Sequence, residues 1–174
     1  MGAGIALTAA MNGLKVWQID VSQDQLERAH AYHSKTLARS VEKERISQSD
    51  SEAALGRIDH VTELSASVDA DWVVEAATEN VELKKTIFGQ MHEIYRSDVV
   101  LATNTSSISI TDIASSLPNG ADRVIGMHFF NPVPVMKLVE VITGLATSEE
   151  TANRTIALAE AMGKTPILAN DRAG

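Results

Sequence analysis

Met1-Gly2-Ala3-Gly4-Ile5-Ala6 opens the chain, and Lys15-Val16-Trp17-Gln18-Ile19-Asp20 follows it closely. Small residues run straight into an apolar helical stretch, and Gly13 stands where that helix should stop. A Val/Ile-containing strand at 15–19 comes next and ends on an acid. Outward from this unit, short apolar runs recur at 72–75, 99–102, 124–128, 138–142 and 166–169. They are rich in Val and Ile, as strands covered on both faces are.

Helical patterns separate the runs. Ser22 with Gln25 three residues on reads as a capping box. The segment 22–48 carries Leu26, His30, His33, Leu37 and Val41 near one face, and Arg28, Tyr32, Lys35, Thr36, Arg39 and Lys43 near the other. The segment 82–95 places Leu83, Ile87, Met91 and Ile94 on one face, and 147–162 is Ala-rich and stops at Gly163. This alternation predicts an α/β fold of Rossmann type, with a doubly wound, mostly parallel sheet and helices on both sides.

With 174 residues the chain is one domain long, and 44% hydrophobic residues suffice for a real core. The net charge of −8, without blocks of like charge, argues against nucleic-acid or membrane partners. The absence of cysteine removes disulfides, thiolate zinc sites and thiol catalysis. No metal site is expected. No apolar run is long enough to span a bilayer.

Three places have the composition of a ligand site. In a dinucleotide unit a Gly-rich turn opens a helix whose N-terminus takes the pyrophosphate, and an acid ending the next strand takes the ribose hydroxyls. Gly2 and Asp20 fit the last glycine and the acid of that unit. The alternative is a helix that tolerates small residues for packing, with Asp20 a turn residue. An Asp here favours NAD over NADP, since it repels a 2′-phosphate.

The second place is Val124-Ile125-Gly126-Met127-His128-Phe129-Phe130-Asn131-Pro132. His128 closes an apolar strand, where α/β sheets line their ligand crevice. An imidazole both takes and gives a proton near neutral pH. Glu140 lies in the apolar run Leu138-Val139-Glu140-Val141-Ile142, and a buried carboxylate needs a partner. A His128–Glu140 pair has the logic of a base and its orienting group. The competing reading is a core histidine, with Glu140 paired to Lys137 or on an exposed edge. The third place is Thr103-Asn104-Thr105-Ser106-Ser107, directly after a strand, either donors to a ligand or a helix-capping turn. Glu79 and Asn80, with Lys84 one turn on, follow the strand at 72–75 in the same way.

Together these segments resemble the 3-hydroxyacyl-CoA dehydrogenase family over essentially the whole chain. The run from His128-Phe129-Phe130-Asn131-Pro132-Val133-Pro134 through Ile142 carries most of the resemblance. Glu75-Ala76-Ala77-Thr78-Glu79-Asn80 and the 103–107 run fall in the expected order. The likeness is to the single-function bacterial 3-hydroxybutyryl-CoA type, in a domain that also occurs inside multifunctional fatty-acid oxidation proteins.

The resemblance implies NAD as cofactor and an L-3-hydroxyacyl-CoA as substrate, oxidised to the 3-oxoacyl-CoA in fatty-acid or hydroxybutyryl-CoA metabolism. It implies His128 as catalytic base and Glu140 as its orienting carboxylate. Ser106 and Asn131 match contacts to substrate and nicotinamide. Met1, Gly2, Asp20, Glu79 and Lys84 match cofactor contacts, and Thr36 and Lys43 match CoA contacts. It implies further that residues 1–174 are part of an NAD-binding domain lacking its first strand, and that the helical domain forming a homodimer lies beyond 174. On this expectation the isolated chain is inactive. A bacterial cytoplasmic location is expected, with a mitochondrial matrix left open. Two other readings stand beside it: a dehydrogenase for a non-CoA hydroxy acid such as a sugar acid, and a non-catalytic module that senses NAD.

Overall fold

The computed structural model describes residues 1–171; the tail 172–174, with which the expected domain end coincides, lies outside the described residues. The chain divides into two compact units, Met1–Ser67 with Pro132–Val135, and Val68–Asn131 with Met136–Gly174.

In the first unit α1 (Gly2–Met11) leads into β1 (Val16–Ile19), then α2 (Gln23–Glu42), α3 (Gln48–Gly56) and β2 (Ile58–Val61). Strands β1 and β2 pair in parallel, with Gln18 opposite His60. Leu7, Ala10, Leu37, Ala54 and Ile58 make the core that joins the three helices to β2. Gly4 suits a close approach: a Cβ there would lie 3.0 Å from the Val133 Cβ of the Pro132–Val135 strap.

Two helix expectations change here. The segment 22–48 is not continuous. It breaks after α2, where Glu44 adopts a positive φ of 55°, a conformation costly for a residue with a Cβ. The capping box lies at Ser47 and Asp50, where both reciprocal bonds form, whereas Ser22 makes no side-chain cap. Asp20 Oδ1 instead accepts the Ser22 backbone N–H at 2.9 Å. An Asp two residues ahead thus takes the N-cap N–H that the Gln25 side chain was expected to take. Strand β2 was not expected; Ile58-Asp59-His60-Val61 has only two apolar residues, and pairing with β1 makes it a strand.

In the second unit β3 (Trp72–Glu75), α4 (Val81–Ile94), β4 (Val100–Thr103), α5 (Ile110–Ala114), β5 (Val124–Phe129), β6 (Leu138–Thr143), α6 (Glu149–Ala161) and β7 (Thr165–Asn170) build one sheet in sequence order. All neighbours are parallel except β5 and β6. Strand β4 and most of β5 are buried throughout, as their unbroken apolar runs require. Gly126 lets α5 approach β5, since a Cβ would stand 2.9 Å from both Ile110 and Ile142. The buried face of α4 is Lys84, Phe88 and Met91, with Leu83 exposed, so the face read from Leu83 and Ile87 is rotated. Lys84, invisible to an apolar pattern, is the reason.

Candidate active site

The antiparallel pairing of β5 with β6 sets His128 directly opposite Glu140. The register is fixed by Met127 and Phe129 on one side and Val139 and Val141 on the other, all buried, so a one-residue slip would turn both polar groups into the core. His128 Nδ1–H donates to Glu140 Oε2 at 2.7 Å. The pair is part-buried, with 18% of the histidine and 33% of the glutamate side chain exposed. The bond fixes the neutral tautomer that leaves Nε2 as the proton acceptor. The Phe130 ring lies 4.8 Å from the imidazole and limits its swing.

The turns after β3 and β4 form a second constellation. Glu75 closes β3, buried, and both its oxygens accept from Lys84 Nζ, at 2.8 and 2.9 Å. It also accepts from the Thr103 hydroxyl at 2.7 Å and from the Ala77 backbone N–H. The Lys84 ammonium is 1% exposed and lies 3.5 Å from Glu79 Oε2. Glu79 in turn accepts from the Thr105 hydroxyl and from the backbone N–H groups of Ser106 at 3.0 Å and Ser107 at 3.3 Å. Burial pushes the Glu79 carboxyl up, but the Thr105 and Ser106 hydrogen bonds, the nearby Lys84 charge and Ser107 outweigh it and hold it below the usual range.

Asn104 Oδ1 accepts the Phe129 backbone N–H at 2.8 Å and so ties the turn after β4 to the end of β5. The cap of α5 is Ser109, just past the 103–107 run, whose side chain accepts the Asp112 N–H. Thr103, Asn104 and Thr105 serve the fold, and Ser106 and Ser107 stay exposed. Asn131, past the end of β5, is exposed as well.

Of the residues singled out from the sequence, this unit holds His128, Glu140, Ser106, Asn131, Glu79 and Lys84. The Lys84 ammonium faces two carboxylates, Glu75 and Glu79, of which Glu79 reaches the surface. Glu75 was not singled out. An acid closing an apolar strand with a lysine nine residues on was the available signal.

The first unit holds Met1, Gly2, Asp20, Thr36 and Lys43. Helix α1 has no acid in its first turn, so its N–H groups are suited to an anion. Asp20 lies directly past β1, half-buried. Thr36 is half-buried on α2, and Lys43 is the exposed C-cap of that helix. The Arg28, Tyr32, Lys35, Arg39 and Lys43 side of α2 is exposed. A helix N-terminus and an acid past the next strand are the elements that take pyrophosphate and ribose in dinucleotide sites.

Dinucleotide-dependent dehydrogenases are the class that combines an α/β sheet of this kind with a proton-transfer pair at a strand's carboxyl end. The model of the 3-hydroxyacyl-CoA dehydrogenase NAD-binding domain matches residues 1–172. A probable 3-hydroxybutyryl-CoA dehydrogenase of Bacillus subtilis (strain 168) is 47% identical over 174 residues, which are 100% of this chain and 60% of that protein. The crystal structure of (S)-3-hydroxybutyryl-CoA dehydrogenase PaaH1 from Ralstonia eutropha superposes with a TM-score of 0.96 at 44% identity, covering 99% of this chain and 60% of that one. The 3-hydroxybutyryl-CoA dehydrogenase structure from Escherichia coli K12 also gives 0.96, at 43% identity, covering 98% of this chain and 36% of that one. The chain belongs to the 3-hydroxyacyl-CoA dehydrogenase family, as its NAD-binding domain. It spans about 60% of the length of the Bacillus subtilis relative. Among the described residues no helix is long and apolar enough to cross a membrane.

Proposed function

We propose that the protein oxidises an L-3-hydroxyacyl-CoA to the 3-oxoacyl-CoA with NAD⁺, and runs the reverse reaction with NADH. The observation that carries this reading is the 2.7 Å bond from His128 Nδ1 to Glu140, which leaves Nε2 as a base. Bound NAD supplies the hydride acceptor, or as NADH the donor. His128 Nε2 takes the C3 hydroxyl proton as C3 gives up its hydride, and the C3 oxygen becomes a carbonyl. Glu140 keeps the ring oriented and stabilises the imidazolium. In reverse, the imidazolium returns that proton to the oxygen. Ser106 and Asn131 orient the reacting oxygen and the nicotinamide, a positioning effect.

Cofactor contacts come from Met1, Gly2, Asp20 and Glu79, with Lys84 holding Glu79 from behind. Thr36 and Lys43 take the CoA portion, in keeping with the basic exposed side of α2. Residues 1–174 belong to the NAD-binding domain as part of it, and the protein acts as a homodimer of the bacterial cytoplasm.

The test is NADH oxidation by acetoacetyl-CoA in the full-length protein, with NADPH and free acetoacetate as controls. Turnover with NADH and the CoA ester alone supports the reading. Turnover of the free acid at a comparable rate contradicts the CoA assignment, and binding of NADH without turnover contradicts the enzyme assignment.

A further inference from the structure

His33 is fully buried on α2, and its Nε2–H donates to the Ala3 carbonyl of α1 at 2.9 Å. Its Nδ1 is buried without a hydrogen-bond partner among the described residues. The rings of His60 from β2 and Tyr32 from α2 lie 5.5 and 5.9 Å away, and His30 packs on His60 at 5.3 Å. Among the described residues no group of three or more His, Asp or Glu side chains is placed to hold an ion. A leucine would fill this position without burying an unpaired nitrogen, so the imidazole needs a reason to be there.

The first turn of α1 supplies one. Gly2 and Gly4 give it no side-chain packing of their own. Gly4 meets the Val133 side chain, and Ala3 is tied to α2 by His33. A glycine-rich helix start needs outside contacts to aim its N–H groups.

We propose that His33 is a positioning residue for the cofactor: its bond to the Ala3 carbonyl holds the first turn of α1 in the orientation in which the backbone N–H groups receive the pyrophosphate of a dinucleotide. This rests on the reading that α1 binds that pyrophosphate. Burial first, then the neighbouring His60 and His30, lower the tendency of His33 to protonate, against the Ala3 bond that raises it. The nearby helix N-terminus disfavours a cation as well. The ring is therefore a neutral Nε2–H donor.

The experiment measures NADH dissociation constants and steady-state kinetics for the full-length wild type, His33→Leu and His33→Gln. In His33→Leu the loss of one neutral hydrogen bond raises the NADH dissociation constant about three- to tenfold. The kcat at saturating NADH and the KM for acetoacetyl-CoA stay within about twofold, and His33→Gln recovers most of the affinity, a pattern that a general loss of stability does not produce. Unchanged NADH affinity in a folded His33→Leu overturns the proposal. Wild type that does not bind NADH overturns it together with the reading beneath it. Should His33→Leu not fold, ¹⁵N NMR of the wild-type ring decides. A neutral Nε2–H tautomer whose shifts move on adding NADH supports the proposal; a Nδ1–H tautomer, or shifts indifferent to NADH, overturns it.

Discussion

Two pairs in the second unit each join a nitrogen donor to a carboxylate and differ in what surrounds them. Lys84 and Glu75 are closed off: both carboxylate oxygens receive the ammonium, Thr103 and Ala77 complete the shell, and almost no surface remains. His128 and Glu140 are open: one bond joins them, and the second ring nitrogen is left for something else. A closed pair holds a fold together, and an open pair can carry out chemistry. The same contrast separates Thr103, Asn104 and Thr105, all bonded inward, from the exposed Ser106 and Ser107 beside them.

Breaking the closed pair has the largest expected effect on stability. Lys84→Met leaves Glu75 buried and uncompensated, and is expected to cost about 3–5 kcal/mol. Chemical denaturation of the variant checks it; a loss below about 1 kcal/mol puts Lys84 on the open side of the comparison. On the open side, Glu140→Gln keeps shape but weakens orientation and imidazolium stabilisation. Turnover is expected to fall about a hundredfold with NADH affinity unchanged, read from kcat and from NADH titration. Gly126→Ala tests the packing of α5 and β6 on β5, since its Cβ would meet Ile110 and Ile142 at 2.9 Å. A cost of about 1–3 kcal/mol is expected in thermal or denaturant melts.

The smallest effect is a pH dependence from the first unit. Burial, more than any other cause, lowers both His33 and His60 from the ordinary 6.5. Below 6.5 the unfolded chain binds protons that the folded one refuses, so stability is full above that pH and falls as pH drops through it. The Glu79 carboxyl, held below its ordinary 4.5, adds a further loss only in stronger acid. Melts between pH 8 and about 5 check the first of these. The His33→Leu variant should flatten the slope, and an unchanged slope contradicts the assignment.

How much the sequence told depended on how local the determining physics was. Strands β3, β4, β5, β6 and β7 were readable as apolar runs because each is its own signal. Strand β2 was not, because Asp59 and His60 are strand residues only through the register with β1. The break after α2 hides in Glu44, a residue whose type does not advertise a positive φ. At the site, His128 with Glu140 was legible because an acid inside an apolar strand demands a partner. Glu75 was not singled out, since only the fold brings Lys84 and Thr103 onto it. His33 read as part of an apolar stripe, and its bond to Ala3 spans thirty positions of sequence.

The measurement that tests the open pair most directly is acetoacetyl-CoA turnover by His128→Ala in the full-length protein, with NADH binding measured on the same sample. The account predicts a fall of about 10²–10⁴ in kcat with NADH affinity and folding close to wild type. Turnover near the wild-type rate would show that Nε2 of His128 is not the base, and the distinction between the two pairs would lose its functional meaning.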